Sequence, residues 1–382
     1  MDRSEVTLLT LIDLSRFFDV IDHQTLLAKL ELLQISPGWF KSYLDGHVQK
    51  VKVGDKISEP LPIDIGTFQG TCLGPILANI MGNDLSCHIP ESLNGFPIHC
   101  IRYADDIQIG ITGPRLKIAD MIRSLEQVLD VMTTWFQQNC MKINAGKTEV
   151  LLCGDRRQLR NIPQPIRIKF MGEEICSKNV VRNLGVYMDC NLSWSHHVKC
   201  VSDRCFGILV ALYHARHILP VKVLPRLIDS MVFSHIRYCI QVYGSTNQES
   251  KDKIQKVFNF GARVISGRKK FDHISDVLKD LRWLNAREYF DYHDLCLMHR
   301  LVETGEPKSL AACLHFNRDR VDRETRQSSH LSLPRPRTSH VKRSFVYRGS
   351  QLFNNVCMTL GPPQEMSYGI FKKAIREMLY SE

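Results

Sequence analysis

The chain has 382 residues, 44% of them apolar, with a formal net charge of +10 and a pI near 9.0. That length suits two or three packed units, and the basic balance points to a polyanionic partner without naming one. No apolar run reaches the roughly 18 residues of a membrane span, and the start, MDRSEVTLLTLIDLSRFFD, is not a signal peptide because Thr10 and Asp13 interrupt its apolar stretch.

Residues 6–12 are β-branched and apolar and end at Asp13, which predicts a buried strand. Residues 22–34, DHQTLLAKLELLQ, carry leucines at helical spacing, and Pro37-Gly38 stops them. A second helix is expected over 38–45. VQKVKV at 48–53 alternates and is followed by Gly54-Asp55, so 48–65 reads as a hairpin. A glycine-bounded loop, Gly66-Thr67-Phe68-Gln69-Gly70-Thr71, precedes a helix at about 74–86. Short apolar strands at 98–103 and 107–112 flank Ala104-Asp105-Asp106. Residues 115–140 place Ile118, Met121, Leu125, Val128, Met132 and Trp135 on one face of a long helix. A strand, TEVLLC, follows at 148–153.

Residues 155–169 form a basic, loop-rich break, and 170–188 are again strand-like. From 193 to 305 the pattern is helical. Residues 316–343 are polar and arginine-rich, with Pro334 and Pro336, as in an exposed arm. The last forty residues alternate again and end in a helix at 366–380.

Thirteen cysteines are scattered from Cys72 to Cys357 without one C-x-x-C pair. Zinc ribbons need close ligand pairs, so no zinc site is expected. His196, His197, Cys200 and Cys205 are explained more simply by an amphipathic helix. Unpaired cysteines fit a reducing, intracellular compartment, nuclear or cytoplasmic, rather than secretion.

Phosphoryl transfer from a nucleoside triphosphate needs two divalent ions, which activate the attacking hydroxyl and neutralise the leaving pyrophosphate. Magnesium requires hard oxygen ligands, so carboxylates must converge. An Asp at a strand end beside an Asp pair on a tight hairpin supplies them. Asp13 and Asp105-Asp106 have that placement. Taken singly, an Asp-Asp pair is commonly a solvated turn, and an Asp after a strand is commonly a helix cap. Together, with the glycine loop between them, they point to polymerase chemistry.

Five segments carry a family resemblance. YADD at 103–106 resembles the reverse transcriptase signature. LIDLSRFFDVIDH at 11–23, GTFQGTCLGP at 66–75, NAGKT at 144–148 and NLGVY at 183–187 resemble, in order, further motifs of non-LTR (LINE-type, jockey-like) retrotransposon polymerases. The resemblance implies an α+β fold: a polymerase palm, with an antiparallel sheet and helices on one face, over 1–190. A helical thumb-like region over 191–305 and a basic arm with a C-terminal helix over 306–382 would follow.

It also implies an RNA-directed DNA polymerase using an RNA template, a DNA primer and dNTPs, with two Mg2+ ions that Mn2+ can replace. Asp13 and Asp105 would hold both metals, Asp106 would support them, and the Leu14 carbonyl would complete a shell. Phe18 would exclude ribonucleotides, where the plainer reading is a core aromatic. Gln69, Gly70 and Tyr103 would line the template and nucleotide. Lys147 would sit by the leaving phosphate, where a solvated turn lysine fits equally. The arm's Arg318, Arg320, Arg323, Arg326, Arg335, Arg337, Lys342 and Arg343, with Arg348, would grip nucleic acid; a solvated loop is the plainer reading.

The chain departs from the family pattern in three places. Phe68 replaces a proline, which is expected to loosen the turn presenting Gln69. Arg16-Phe17 replaces Lys-Ala and is expected to add bulk beside the site. The chain begins a dozen residues before Asp13, so fingers are expected to be missing and the copy to be truncated and inactive. The alternative is a non-catalytic nucleic-acid-binding remnant.

Overall fold

The structure, a computed structural model, describes residues 5–319, 328–336, 339–361 and 366–381. The chain forms two compact units, Arg3–Leu184 and Gly185–Glu382. Their boundary falls in the turn between the strands Val180–Asn183 and Val186–Asp189.

The first unit is built on seven strands: β1 (Glu5–Leu14), β2 (Ser92–Leu93), β3 (Phe96–Tyr103), β4 (Asp106–Pro114), β5 (Ile143–Cys153), β6 (Arg167–Phe170) and β7 (Glu173–Lys178). Their order in the sheet is β6-β7-β5-β1-β4-β3-β2. All pairings are antiparallel except β7 with β5. β1 is central because its sequence alternates: Val6, Leu8, Thr10, Ile12 and Leu14 are buried, while Leu9, Leu11 and Asp13 are half-buried on the other face. A central strand with only one fully buried face leaves Asp13 on the open side.

Between β1 and β2 lie α1 (His23–Leu32), α2 (Pro37–Leu44) and α3 (Gly74–Met81), then a one-turn helix, Leu85–His88. The Asp22 carboxylate caps α1 by accepting from the Thr25 amide at 2.7 Å. The long helix α4 (Ile118–Gln138) packs on β4 and β6 and buries Met121, Leu125, Val128, Leu129, Met132, Trp135 and Phe136. Each such side chain contributes roughly 1.5–3 kcal/mol by leaving water, so this face fixes the sheet's buried side. The 48–65 hairpin exists as two short ladders, Val48–Gln49 with Leu61–Pro62 and Lys52–Val53 with Lys56–Ile57.

Three local expectations are corrected. The strand expected from 148 begins at Ile143, so NAGKT lies within β5 and Lys147 is not in a turn. The 155–169 break holds a short helix, Arg156–Leu159, and β6. The alternation expected within the last forty residues is instead a helix over Phe345–Leu360. It buries Gly349, Phe353, Val356 and Cys357 at three- and four-residue steps, a helical rather than a strand period.

The second unit is helical from Ser195 to Thr304, through α5 (Ser195–Ala215), α6 (Gln248–Ser266) and α7 (Ala286–Thr304). A π-helical turn, Asp229–Phe233, lies between α5 and α6. Helices α8 (Phe345–Leu360) and α9 (Tyr368–Ser381) both pack on α7. The α+β class expected from the sequence is the observed one.

Candidate active site

The acidic residues are placed by strand register. Ile12 of β1 pairs with Ile107 of β4, so Asp13 lies one step on, alongside Asp106. Tyr103 pairs with Asp106 and closes a two-residue turn of Ala104 and Asp105. Ala104 adopts φ 54°, a region non-glycine residues rarely occupy. Burial, then the charges of Asp105 and Asp13, hold the Asp106 carboxyl above the usual carboxylate range. Asp106 therefore senses both acidic neighbours. Among the described residues, no group of three or more His, Cys, Asp or Glu is set to hold a metal ion by itself.

Opposite Asp13 in β5 is Asn144. Lys147, three residues further, brings its ammonium 3.6 Å from the Asp13 carboxylate. The Lys147 side chain is 71% exposed, so the pair adds at most about 1 kcal/mol to stability. Its consequence is to set a mobile cation beside the acids.

The glycine loop is strapped to the segment after Asp13. The Gly66 amide donates to the Ile21 carbonyl at 2.7 Å, and the Thr67 amide donates to the Phe18 carbonyl at 2.7 Å. The Gly66 carbonyl lies 2.8 Å from His23 Nε2. Gly66 has φ +88°, and a Cβ there would come 2.9 Å from the Asp19 carbonyl oxygen. Only glycine fits this approach without strain. Gln69 donates to the Asp19 carboxylate at 2.9 Å, and Gly70 is exposed at φ +82°.

Residues 1–188 match the family model described as reverse transcriptase (RNA-dependent DNA polymerase). These residues belong to the reverse transcriptase family. The chain is similar to the probable RNA-directed DNA polymerase from transposon BS of Drosophila melanogaster, at 24% identity over 74% of this chain and 31% of that protein. It is also similar to the RNA-directed DNA polymerase from mobile element jockey of Drosophila melanogaster, at 25% identity over 74% of this chain and 31% of that protein. The expected kinship with non-LTR retrotransposon polymerases is therefore the observed one. The chain spans about a third of the length of these relatives. Apo telomerase from Candida tropicalis is a weak structural likeness, with TM-score 0.36 and 11% identity over 80% of this chain and 52% of that chain.

Two departures from the family pattern have different consequences from those expected. In this reverse transcriptase domain Phe68 does not loosen the loop. Its ring lies 4.0 Å from the His47 ring and 5.5 Å from Tyr43. Its carbonyl accepts from the Thr71 hydroxyl at 2.7 Å. Aromatic contacts thus replace the stiffness of a proline. Phe17 is buried in the core, and Arg16 is exposed at φ 52°, so the phenyl ring turns away from the open face.

Leu14 is buried by its side chain, Phe18 is half-buried against the core, and Tyr103 is 66% exposed. Asp19, His23, His47 and Tyr43 were not singled out from the sequence. Each acts on the loop across many intervening residues, which linear spacing does not reveal.

In the arm, Arg320, Arg323, Arg326 and Arg337 lie outside the described residues. Arg318 lies over the Phe316 ring at 4.7 Å and 3.9 Å from Asp319. Lys342 and Arg343 fall on the short helix Ser339–Arg343, and Arg335 precedes it. Arg348 is not a free grip for nucleic acid, because it is paired with the buried Asp294 at 2.5 Å.

Among the described residues, no helix is long and apolar enough to cross a membrane.

Proposed function

We propose that the reverse transcriptase domain carries the catalytic core of RNA-directed DNA synthesis, with Asp13, Asp105 and Asp106 holding two divalent ions, Mg2+ or Mn2+. The observation that supports this is the register that sets Asp13 alongside the Ala104–Asp105 turn. Burial, and then its two acidic neighbours, already make Asp106 difficult to ionise. Carboxylates that repel one another in a partly desolvated site fit a divalent cation, which removes the repulsion. When bound, the two ions would lower the pKa of the primer 3′ hydroxyl and neutralise the departing pyrophosphate.

The remaining roles belong to this chain's own groups. The Leu14 carbonyl would add an oxygen ligand. Phe18 would occupy the space of a ribose 2′ hydroxyl and so favour dNTPs. Gln69 and Gly70 would lie against the template, with Gln69 held in place by Asp19. Tyr103 would present its exposed ring to the template and incoming nucleotide. Lys147 would pass from Asp13 to the leaving phosphate, a short move for a long, exposed side chain.

Manganese binding followed by electron paramagnetic resonance tests the metal assignment without requiring turnover. The unmodified chain should bind Mn2+ and release it to excess Mg2+. The Asp105→Asn, Asp106→Asn double variant should lose that binding. Equal binding by both proteins would remove these acids from the metal site.

A second reading, nucleic-acid binding without catalysis, is favoured by the +10 net charge and the arginine-rich arm. Each phosphate neutralised releases a counterion and steepens the salt dependence by roughly 0.7–0.9 in logarithmic slope. Changing Arg318, Arg335, Lys342 and Arg343 to glutamine should therefore flatten the slope by about 3 for a bound oligonucleotide. An unchanged slope would leave these residues as a solvated segment.

A further inference from the structure

We propose that the helical unit carries a second nucleic-acid site, which takes one unstacked base of a single strand into an aromatic cavity and lays the adjoining phosphates along a basic groove. This goes beyond the polymerase reading and does not depend on it. The cavity has a volume of about 250 Å3. Its walls include Phe233, Phe258, Trp283, Tyr289, Tyr292 and His293. A neighbouring hollow of about 620 Å3 shares Tyr292, Lys372 and Arg376 with it and adds Arg282 and Lys373. Ligand sites commonly occupy roughly 300–1,000 Å3, and these two volumes, joined at shared residues, match that scale.

The walls are not those of a packing defect. A defect left by imperfect packing is lined by apolar atoms and stays dry. Here two tyrosines, a histidine and cationic side chains face the space. The rings are fixed in mutual contact: Phe233 lies 4.7 Å from Trp283, Phe258 5.2 Å from Tyr289, and Tyr289 4.7 Å from His293. Phe233 ends the π-helical turn Asp229–Phe233, whose extra residue re-aims the ring. Such turns recur at functional sites. Burial pushes the His293 imidazole down to about 4. It is therefore neutral near pH 7, able to hydrogen-bond a base edge without adding charge.

Charge identifies the occupant. Arg237 is held by two hydrogen bonds to the Asp229 carboxylate, at 2.6 Å and 3.1 Å, so its charge is already balanced. The adjoining groove sets Arg282, Lys372, Lys373 and Arg376 against one carboxylate, Glu377. Glu377 lies 3.6 Å from Arg282, and among the described residues Lys372 and Lys373 form no ion pair. An apolar ligand would leave those cations unanswered. An acidic peptide would satisfy them but would offer the aromatic cavity no flat ring with polar edges. A nucleotide within a strand offers both, since bases stack on aromatic rings and phosphates follow basic grooves. A free nucleotide shares this chemistry, but four cations along a groove fit a run of phosphates better than one.

The test uses the full chain with single strands of RNA bearing 4-thiouridine or DNA bearing 4-thiothymidine. Photo-crosslinks should map to Trp283, Tyr292 or His293 with at least one of the two strands. In the Lys372→Glu, Arg376→Glu double variant the half-buried Lys372 leaves the Tyr368 ring and Arg376 leaves the Arg282 carbonyl, so its fold is checked by circular dichroism. It should lose the crosslink and bind on the order of tenfold more weakly by anisotropy, and Tyr292→Ala should do the same. Asp105→Asn should leave the crosslink intact, which separates this site from the polymerase reading. Crosslinks confined to other residues, or undiminished in the double variant, would overturn the proposal. Uridine monophosphate that displaced the strand at equal concentration would overturn its assignment to a strand.

Discussion

The Asp105→Asn variant is expected to lose Mg2+-dependent extension of a DNA primer on an RNA template by about two to three orders of magnitude relative to the unmodified chain. Removing one well-placed charge-stabilising group from an active site costs about 10²–10³ in rate. Asparagine keeps the size and one carbonyl oxygen of aspartate, so the Ala104–Asp105 turn and the pairing of Tyr103 with Asp106 should survive. What is lost is the negative charge. The substitution also removes one source of repulsion on Asp106, whose carboxyl should then ionise more readily. A variant can therefore fold as well as the unmodified chain and still fail in catalysis. The readout is single-turnover extension with labelled primer, beside RNA binding by anisotropy. Extension equal in the two proteins would sink the assignment of Asp105. Binding without any extension in either would leave the nucleic-acid-binding reading.

Asp13, Asp105 and Asp106 were legible in the sequence because local pattern encodes their placement. A β-branched run ending in Asp and an Asp pair between two apolar strands each specify a strand end or a hairpin tip. The sheet then brings them side by side, since a period-two strand with one buried face has one workable register. Helix α4 was legible for the same reason, with its apolar stripe recurring at helical spacing.

The failures are equally physical. Phe68 was read as a lost proline because its partners, Tyr43 and His47, lie on another element. Phe17 was read as bulk at the site because sequence does not show the left-handed turn at Arg16 that sends the ring inward. Phe345–Leu360 was read as alternating because apolar residues also occupy its less buried positions, the half-buried Val346 and Leu352 and the exposed Met358 among them. Tertiary contacts with α7 decide that segment. Arg348 looked like one more arginine of a basic arm, since nothing in its neighbourhood signals a buried carboxylate 54 residues earlier.

That pair gives the second large expectation: Arg348→Ala should destabilise the helical unit by about 3–5 kcal/mol. Asp294 is only 1% exposed and Arg348 15%. The guanidinium meets both carboxylate oxygens, at 2.5 Å and 3.1 Å, and also donates to the Gln241 and Arg343 carbonyls. Alanine would strand a buried charge and two main-chain acceptors together. Since a domain is stable by only about 5–15 kcal/mol, the loss would be visible as a large shift in a urea melt.

The pH dependence has a definite sign. Burial holds the Asp294 carboxyl above its ordinary range even with Arg348 present, so the folded state binds the proton more tightly than the unfolded chain. Stability drawn from that group is present at low pH and falls as pH rises through the folded pKa. Without Arg348 the folded pKa should rise further, so the variant's deficit should shrink on acidification from neutral pH. The Arg348→Met, Asp294→Leu double variant should be less destabilised than Arg348→Ala, because no buried charge is left unpaired. A single variant that melts with the unmodified chain, or a double variant that melts below the single one, would show that this ion pair does not anchor α8 to α7.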